Sequence, residues 1–183
     1  MWAYCTPKLG VPDLWLAEES GGDWTTATCP AGYKVIGGGC DAEGSPYHYQ
    51  KSGPEGDNGW HCGGFGSDKH VMAFCLPSGG FGDKISVVQA SGGDWTTATC
   101  PEGQKVIGGG CDATAEPYKF RKSGPDGDST WVCGGFGGAK TVWAFCCASC
   151  RVTLAACSSS RVGACDPRGP PSSPHPPSSP ELR

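Results

Sequence analysis

Four cysteines occur twice in this chain at one set of intervals: Cys29, Cys40, Cys62 and Cys75, then Cys100, Cys111, Cys133 and Cys146. A thiol can attack, ligate a metal or cross-link, and spacing together with redox setting decides which. The intervals are C-x10-C, C-x21-C and C-x12-C, none of them the C-x2–4-C knuckle that brings two thiolates to one zinc ion. In an oxidising compartment each set makes two disulfides. Their order stays open at this level. Cys147 and Cys150 form the chain's only C-x2-C, with no second pair to complete a metal site.

Histidine and the carboxylates are the other groups able to carry chemistry. His48, His61 and His70 of the first copy are matched by Lys119, Val132 and Thr141 in the second. No catalytic or metal-binding histidine is therefore shared, and surface histidines are the reading. The repeated carboxylates are Asp23/Asp94, Asp41/Asp112 and Asp57/Asp128, with Glu55 replaced by Asp126. Glu55 and Asp57 on a glycine-rich turn have the oxygen ligands calcium takes, but a turn carboxylate bonding its own backbone is the simpler account. GGGC and CGGFG lack the GxxxxGK[ST] form of a phosphate loop. Glycine there serves close packing beside a disulfide or a bulge. No catalytic residue, metal or cofactor is expected.

These residues sit in a long internal repeat. Leu14–Cys75 aligns with Ile85–Cys146 without a gap, and 40 of 62 positions are identical. Every position is thus sampled twice. Met1–Pro7 (MWAYCTP) resembles the closing Val71–Pro77 (VMAFCLP), which makes residues 1–10 the end of a truncated upstream module. Module one is 11–77, module two 78–147, and 148–183 a Ser/Pro/Arg-rich tail. A secretory signal is expected upstream of Met1. The tail's PPSSPHPPSSP favours polyproline II and disorder. Its origin is either a natural wall-protein-like stalk or a gene-model artefact.

The modules read as all-β. Strands are expected at Leu14–Glu18, Trp24–Cys29, Lys34–Gly39, Tyr47–Lys51, Trp60–Cys62 and Val71–Cys75 and at their counterparts, rich in Trp, Tyr, Val and Thr between Gly, Pro and Asp. Tyr47, Tyr49 and Lys51, like Tyr118, Phe120 and Lys122, would share a strand face. SGPEGDNG at Ser52–Gly59 reads as a turn. Trp24/Trp95 and Trp60/Trp131 flank cysteines and read as core. Tyr47/Tyr118 and Phe65/Phe136 are the candidates for an exposed aromatic face, against core burial. The architecture is a tandem of small, disulfide-stapled antiparallel β-sandwiches of about six strands each.

The line TATCPAGYKVIGGGC, then W-x-C, then VMAFC, resembles the cysteine-rich repeat of the resistin family and of the C-terminal Cys/His-rich domain of the LDL-receptor-regulating proprotein convertase. That resemblance covers Trp24–Cys75 and Trp95–Cys147. It implies six-stranded sandwiches and the pairs Cys29–Cys75, Cys40–Cys62, Cys100–Cys146 and Cys111–Cys133. Cys147 has the form of a closing vicinal cysteine, but no partner is assigned to it, nor to Cys5, Cys150, Cys157 or Cys165. The resemblance also favours contact with another protein.

Charge narrows the partners. Residues 1–147 carry nine Lys and one Arg against 16 acids, a net −6, which argues against nucleic acid. No apolar run reaches the ~20 residues of a membrane span. The expected function is non-enzymatic recognition, secreted or at the cell surface. The partner is an extracellular protein; a glycan, or a passive matrix role, is the alternative. Tyr47, Lys51 and Asp57, with Tyr118, Lys122 and Asp128, are the candidate ligand-binding residues, because KSGPEGD and KSGPDGD keep a lysine and acids that a turn does not need.

Overall fold

The computed structural model describes residues 14–42, 49–80 and 82–148. Expectations for residues 1–10, for Tyr47 and His48, and for the tail beyond Ala148 lie outside the described residues. Regular structure among them is all β apart from a 3-10 turn at Gly82–Lys84. Threonine, valine and tryptophan occupy the strands, and glycine, proline and aspartate the breaks, as β-propensity requires.

The first sandwich holds β1 (Trp15–Gly21), β2 (Thr25–Thr28), β3 (Tyr33–Ala42), β4 (Lys51–Glu55), β5 (Gly59–Gly63) and β6 (Lys69–Pro77). The second repeats them as β7 (Ile85–Gly92), β8 (Thr96–Thr99), β9 (Lys105–Ala113), β10 (Lys122–Asp126), β11 (Thr130–Gly134) and β12 (Lys140–Cys147). One layer orders β1-β6-β3 and the other β2-β5-β4; their counterparts order β7-β12-β9 and β8-β11-β10, all antiparallel. Both copies carry a bulge at the same isoleucine: the register of β3 on β6 skips Ile36, and that of β9 on β12 skips Ile107.

Disulfides tie the layers together in the nesting the resemblance implies. Cys29 bonds Cys75 and Cys40 bonds Cys62; Cys100 bonds Cys146 and Cys111 bonds Cys133. Cys147 is disulfide-bonded as well. Around the bridges lie Ala27, Val35, Trp60, Val71 and Ala73 in one core, and Ala98, Val106, Trp131, Val142 and Ala144 in the other. Small residues dominate because the layers approach closely. A Cβ on Gly38 would overlap the Trp60 indole, and one on Gly109 that of Trp131. The central glycine of each GGGC block therefore makes room for a tryptophan from the opposite layer.

Two expectations are corrected. The fourth strand runs Lys51–Glu55, later than Tyr47–Lys51, and the reversal is confined to Gly56–Asn58. Pro54 is accommodated within it because β9 pairs with β4 only at Lys51 and Ser52, so beyond Ser52 that side of β4 is an edge. In the second copy Tyr118 and Phe120 are irregular rather than on a strand, and Tyr118 has φ 50°. They share no strand face with Lys122.

The sandwiches join through one sheet. Lys51 stands opposite Asp112 and Ser52 opposite Cys111, and Ala113 N–H donates to the Gln50 carbonyl at 2.8 Å. The result is a continuous six-stranded sheet, β2-β5-β4-β9-β12-β7. Phe145 of β12 leaves its own sandwich and packs in the first core, 6.2 Å from the Trp60 ring, beside Ile85 and Ile107. Full burial of such a phenylalanine stabilises the junction by about 2 kcal/mol.

Candidate functional site

Of the six residues singled out in the sequence, Tyr47 lies outside the described residues, and the lysines and aspartates of the two turns have different surroundings. Lys51 is drawn into the junction, its side chain only 15% exposed, paired with Glu55 Oε2 at 2.5 Å and lying 5.9 Å from the Trp143 ring. Its counterpart Lys122 is exposed on β10. Asp57 and Asp128 are exposed in the turns, where their carbonyls accept from Val35 N–H and Val106 N–H at 2.9 and 2.8 Å. Asp128 also pairs with Lys105 at 3.1 Å. The turn backbone thus seats the next strand. Nearly identical sequence carries different duties in the two copies.

Another pair of loops does converge, and does so in both sandwiches. The loop between β1 and β2 ends in Asp23-Trp24, and the segment between β5 and β6 carries Gly64–Asp68 with Phe65 in it. Lys69 fastens one to the other. Its side chain has no exposure, and its Nζ donates to Asp23 Oδ1 at 3.1 Å, the Ser67 carbonyl at 2.6 Å and Ser67 Oγ at 3.0 Å. Lys140 repeats the device, also without exposure, contacting Asp94 Oδ1 at 3.5 Å, the Gly138 carbonyl at 3.1 Å and the Gly137 carbonyl. Asp94 Oδ1 further accepts Gly135 N–H at 2.8 Å. An ammonium hidden from water must be paired and hydrogen-bonded, so each lysine holds both loops in one conformation.

On this base the aromatics face outward. Trp24 and Trp95 are 49% and 53% exposed, which corrects their assignment to the core; Trp60 and Trp131 are core residues as expected. Each exposed indole lies against a glycine, Gly63 or Gly134, where a Cβ would overlap the ring. Trp24 also stacks on His61, centroids 5.4 Å apart and planes at 23°. Phe65 and Phe136 are exposed too, at φ 69° and 76°, a left-handed conformation that costs a non-glycine residue about 1–2 kcal/mol. Glycine would relieve that cost, yet phenylalanine stands there in both copies. Strain kept at an exposed aromatic points to a use for the ring.

The two sites differ in electrostatics. In the second, Lys119 Nζ lies 4.7 Å from the Phe136 centroid and the Arg121 guanidinium 5.9 Å from that of Trp95. In the first, His61 replaces Val132, accepts or donates to Thr26 Oγ1 at 2.5 Å, and is held below its ordinary pKa. Burial is the main cause, the Lys51 charge adds to it, and Glu55 opposes it. The second site thus sets two cations against its rings.

A small cleft of about 210 Å³ adjoins the first site, lined by Ser20, Gly21, Asp68, Lys69 and His70. Ser20 Oγ lies 2.9 Å from His70 Nδ1, and Glu18 Oε1 3.5 Å from His70 Nε2. This has the order of a hydrolytic triad. In the second sandwich, however, Ser91 Oγ bonds Thr141 Oγ1 at 2.9 Å in the same cross-strand position, with Gln89 for Glu18. The contact persists without an imidazole, which marks it as a cross-strand polar pair. Among the described residues no three His, Cys, Asp or Glu side chains converge on a metal position.

The lysine staple was open to detection in the sequence. Lys69/Lys140 recur with Asp23/Asp94, and each lysine opens an alternating strand whose in-facing positions are apolar. No protein-family model matches the chain, and no curated protein matches it. Among the described residues no helix is long and apolar enough to cross a membrane.

Proposed function

We propose that this chain is a secreted or cell-surface recognition protein without enzymatic activity, in which each sandwich offers one aromatic loop pair to an extracellular protein partner. The observation that carries this reading is the repetition of an exposed Trp and a strained exposed Phe, 24/65 and 95/136, on loops locked by a buried lysine. Exposed, rigid aromatics are the side chains that supply most binding energy at protein interfaces. Two such sites on one rigid sheet suit a bivalent contact, in which the second engagement gains from effective concentration. Two nested disulfides in each sandwich of small core residues suit an oxidising compartment. Resemblance to the resistin-type repeat supports the same class of role, now with the loops rather than the KSGP turns as the contact.

A glycan partner is the second reading, because an indole resting flat beside glycine is also a platform for a sugar ring. One experiment separates them. The oxidised chain and its Trp24→Ala, Trp95→Ala and double variants are tested in parallel on a glycan array and by pull-down from the native extracellular fraction. The protein reading expects a retained protein whose binding falls modestly in each single variant and by far more than the product in the double. Sugar binding that both tryptophans control moves the proposal to a lectin. Retention indifferent to both tryptophans ends it.

A further inference from the structure

The junction between the sandwiches is built from two edges, and the chain carries a second copy of each that no other described strand pairs with. One edge is β4, entering through Lys51 and Ser52; its duplicate, β10, has the same Lys-Ser-Gly-Pro sequence at Lys122–Pro125. Within the described strands β10 pairs only with β11 and stands at the end of its sheet. The other edge is the end of β9, Gly110-Cys111-Asp112; its duplicate is Gly39-Cys40-Asp41 on β3, which among the described strands pairs only with β6, and whose Cys40 carbonyl accepts from the Tyr49 hydroxyl at 3.2 Å, a contact the docked strand would share or displace. The two ends of the molecule are therefore complementary to each other.

Burial supports the equivalence. Phe145, covered in the junction, is 1% exposed, whereas its counterpart Phe74 is 38% exposed. Ile85 packs against the first core, while its counterpart Leu14 is 53% exposed. Asp112 is half-buried against Lys51, and Asp41 is exposed. On the other face Trp131, the counterpart of the Trp60 that Phe145 covers, is buried by its own chain at 8% exposure, with a 3.0 Å hydrogen bond from Nε1 to Ser123 Oγ on β10.

We propose that a second copy of this chain docks on these edges, β10 of one copy pairing with Gly39–Asp41 of the next beside its exposed Phe74, as β4 and β9 already pair within the chain. The contact is heterologous: the two surfaces differ, and each copy keeps one of each to offer. It lies apart from the aromatic loops, and it multiplies them. Main-chain pairing supplies the attraction; Lys122 would stand opposite Asp41 as Lys51 stands opposite Asp112 inside, and the opposite charges select the partner.

The test is charge exchange on the full oxidised chain, read by sedimentation over a wide concentration range. The native chain is expected to associate reversibly. Lys122→Asp places Asp opposite Asp41, and Asp41→Lys places Lys opposite Lys122, so each variant alone should associate at least about tenfold more weakly. Mixed one to one, every junction between unlike copies regains an opposite pair, and association should return. Gly39→Ala supplies an uncharged check. A Cβ at Gly110 would come 2.7 Å from Gly53 Cα in the internal junction, but at Gly39 it meets only Met72 Cε at 3.5 Å. This variant should keep the native melting midpoint and lose association. A native chain that stays single at high concentration overturns the proposal. So does association that the charge variants and Gly39→Ala leave unchanged, or a mixture that fails to recover.

Discussion

Removing the carboxylate from one lysine staple tests how the recognition loops are held. In Asp23→Ala the Lys69 ammonium keeps Ser67 O at 2.6 Å and Ser67 Oγ at 3.0 Å but loses its counter-charge at 3.1 Å. Breaking a buried pair from one side costs about 3–5 kcal/mol, because the remaining charge is left without compensation. The Asp23 side chain is 30% exposed, so water can reach the vacated space, and the lower end, about 3 kcal/mol, applies. For a unit of this size 1 kcal/mol moves the midpoint by about 3–4 °C, which gives a fall of about 10 °C. Lys69→Met in the same background removes the stranded charge at nearly constant volume and should restore about half of it. Calorimetry of the oxidised chain reads both values, and the cycle of single and double variants isolates the coupling. Near-UV circular dichroism should show Trp24 losing its fixed environment. A fall of less than about 3 °C, or a double variant no better than the single, would refute the view that a buried charge pair fixes the loops.

Other outcomes follow from the same contacts. Gly38→Ala and Gly109→Ala drive a methyl into Trp60 or Trp131 and should each destabilise by about 3 kcal/mol or more, measured by chemical denaturation. Opening Cys29–Cys75 (sequence separation 46) should cost about 4 kcal/mol and opening Cys40–Cys62 (separation 22) about 3, so paired Cys→Ala variants should rank in that order. Burial lowers the His61 pKa in the folded state, so the unfolded chain binds the extra proton and stability falls as pH drops below about 6.5. His61→Val, the residue of the second copy, should remove that part of a melting-point profile between pH 7 and 5. Burial raises the Asp112 carboxyl, so its ionised form opposes folding above its unfolded pKa. Asp112→Asn should accordingly raise the midpoint at pH 7 and leave the acid side less changed.

Much of the fold was legible because it is local and stated twice. Thr25–Thr28 and Thr96–Thr99 alternate buried positions with partly or fully exposed ones, and glycine and proline mark the breaks. The GGGC glycines were recognisable as close-packing positions, though nothing adjacent in sequence names Trp60 as what packs there. Pro54 misled because proline suggests a turn, and only the end of the β9 pairing shows that an edge strand admits it. Trp24 misled because tryptophan beside cysteine reads as core; its ring instead lies across Gly63, nearly forty residues away. Lys51 and Lys122 are the clearest limit. They sit in one heptapeptide pattern, yet one is covered and the other exposed, and that difference arises only where two sandwiches meet.

The shared junction also sets unequal rules for inheritance. Gly39 and Gly110 began as one residue, but an added methyl finds slack at the first and the Gly53 backbone at the second. Phe74 and Phe145 likewise share an origin, and only the latter fills another sandwich's core. Substitutions at the outward copy escape purging by folding, while the inward copy is policed by its neighbour. Comparison among natural variants should therefore find 39, 72 and 74 drifting sooner than 110, 143 and 145. If the outward set proves as immobile as the inward one, selection is acting on that face through something other than the stability of a single chain.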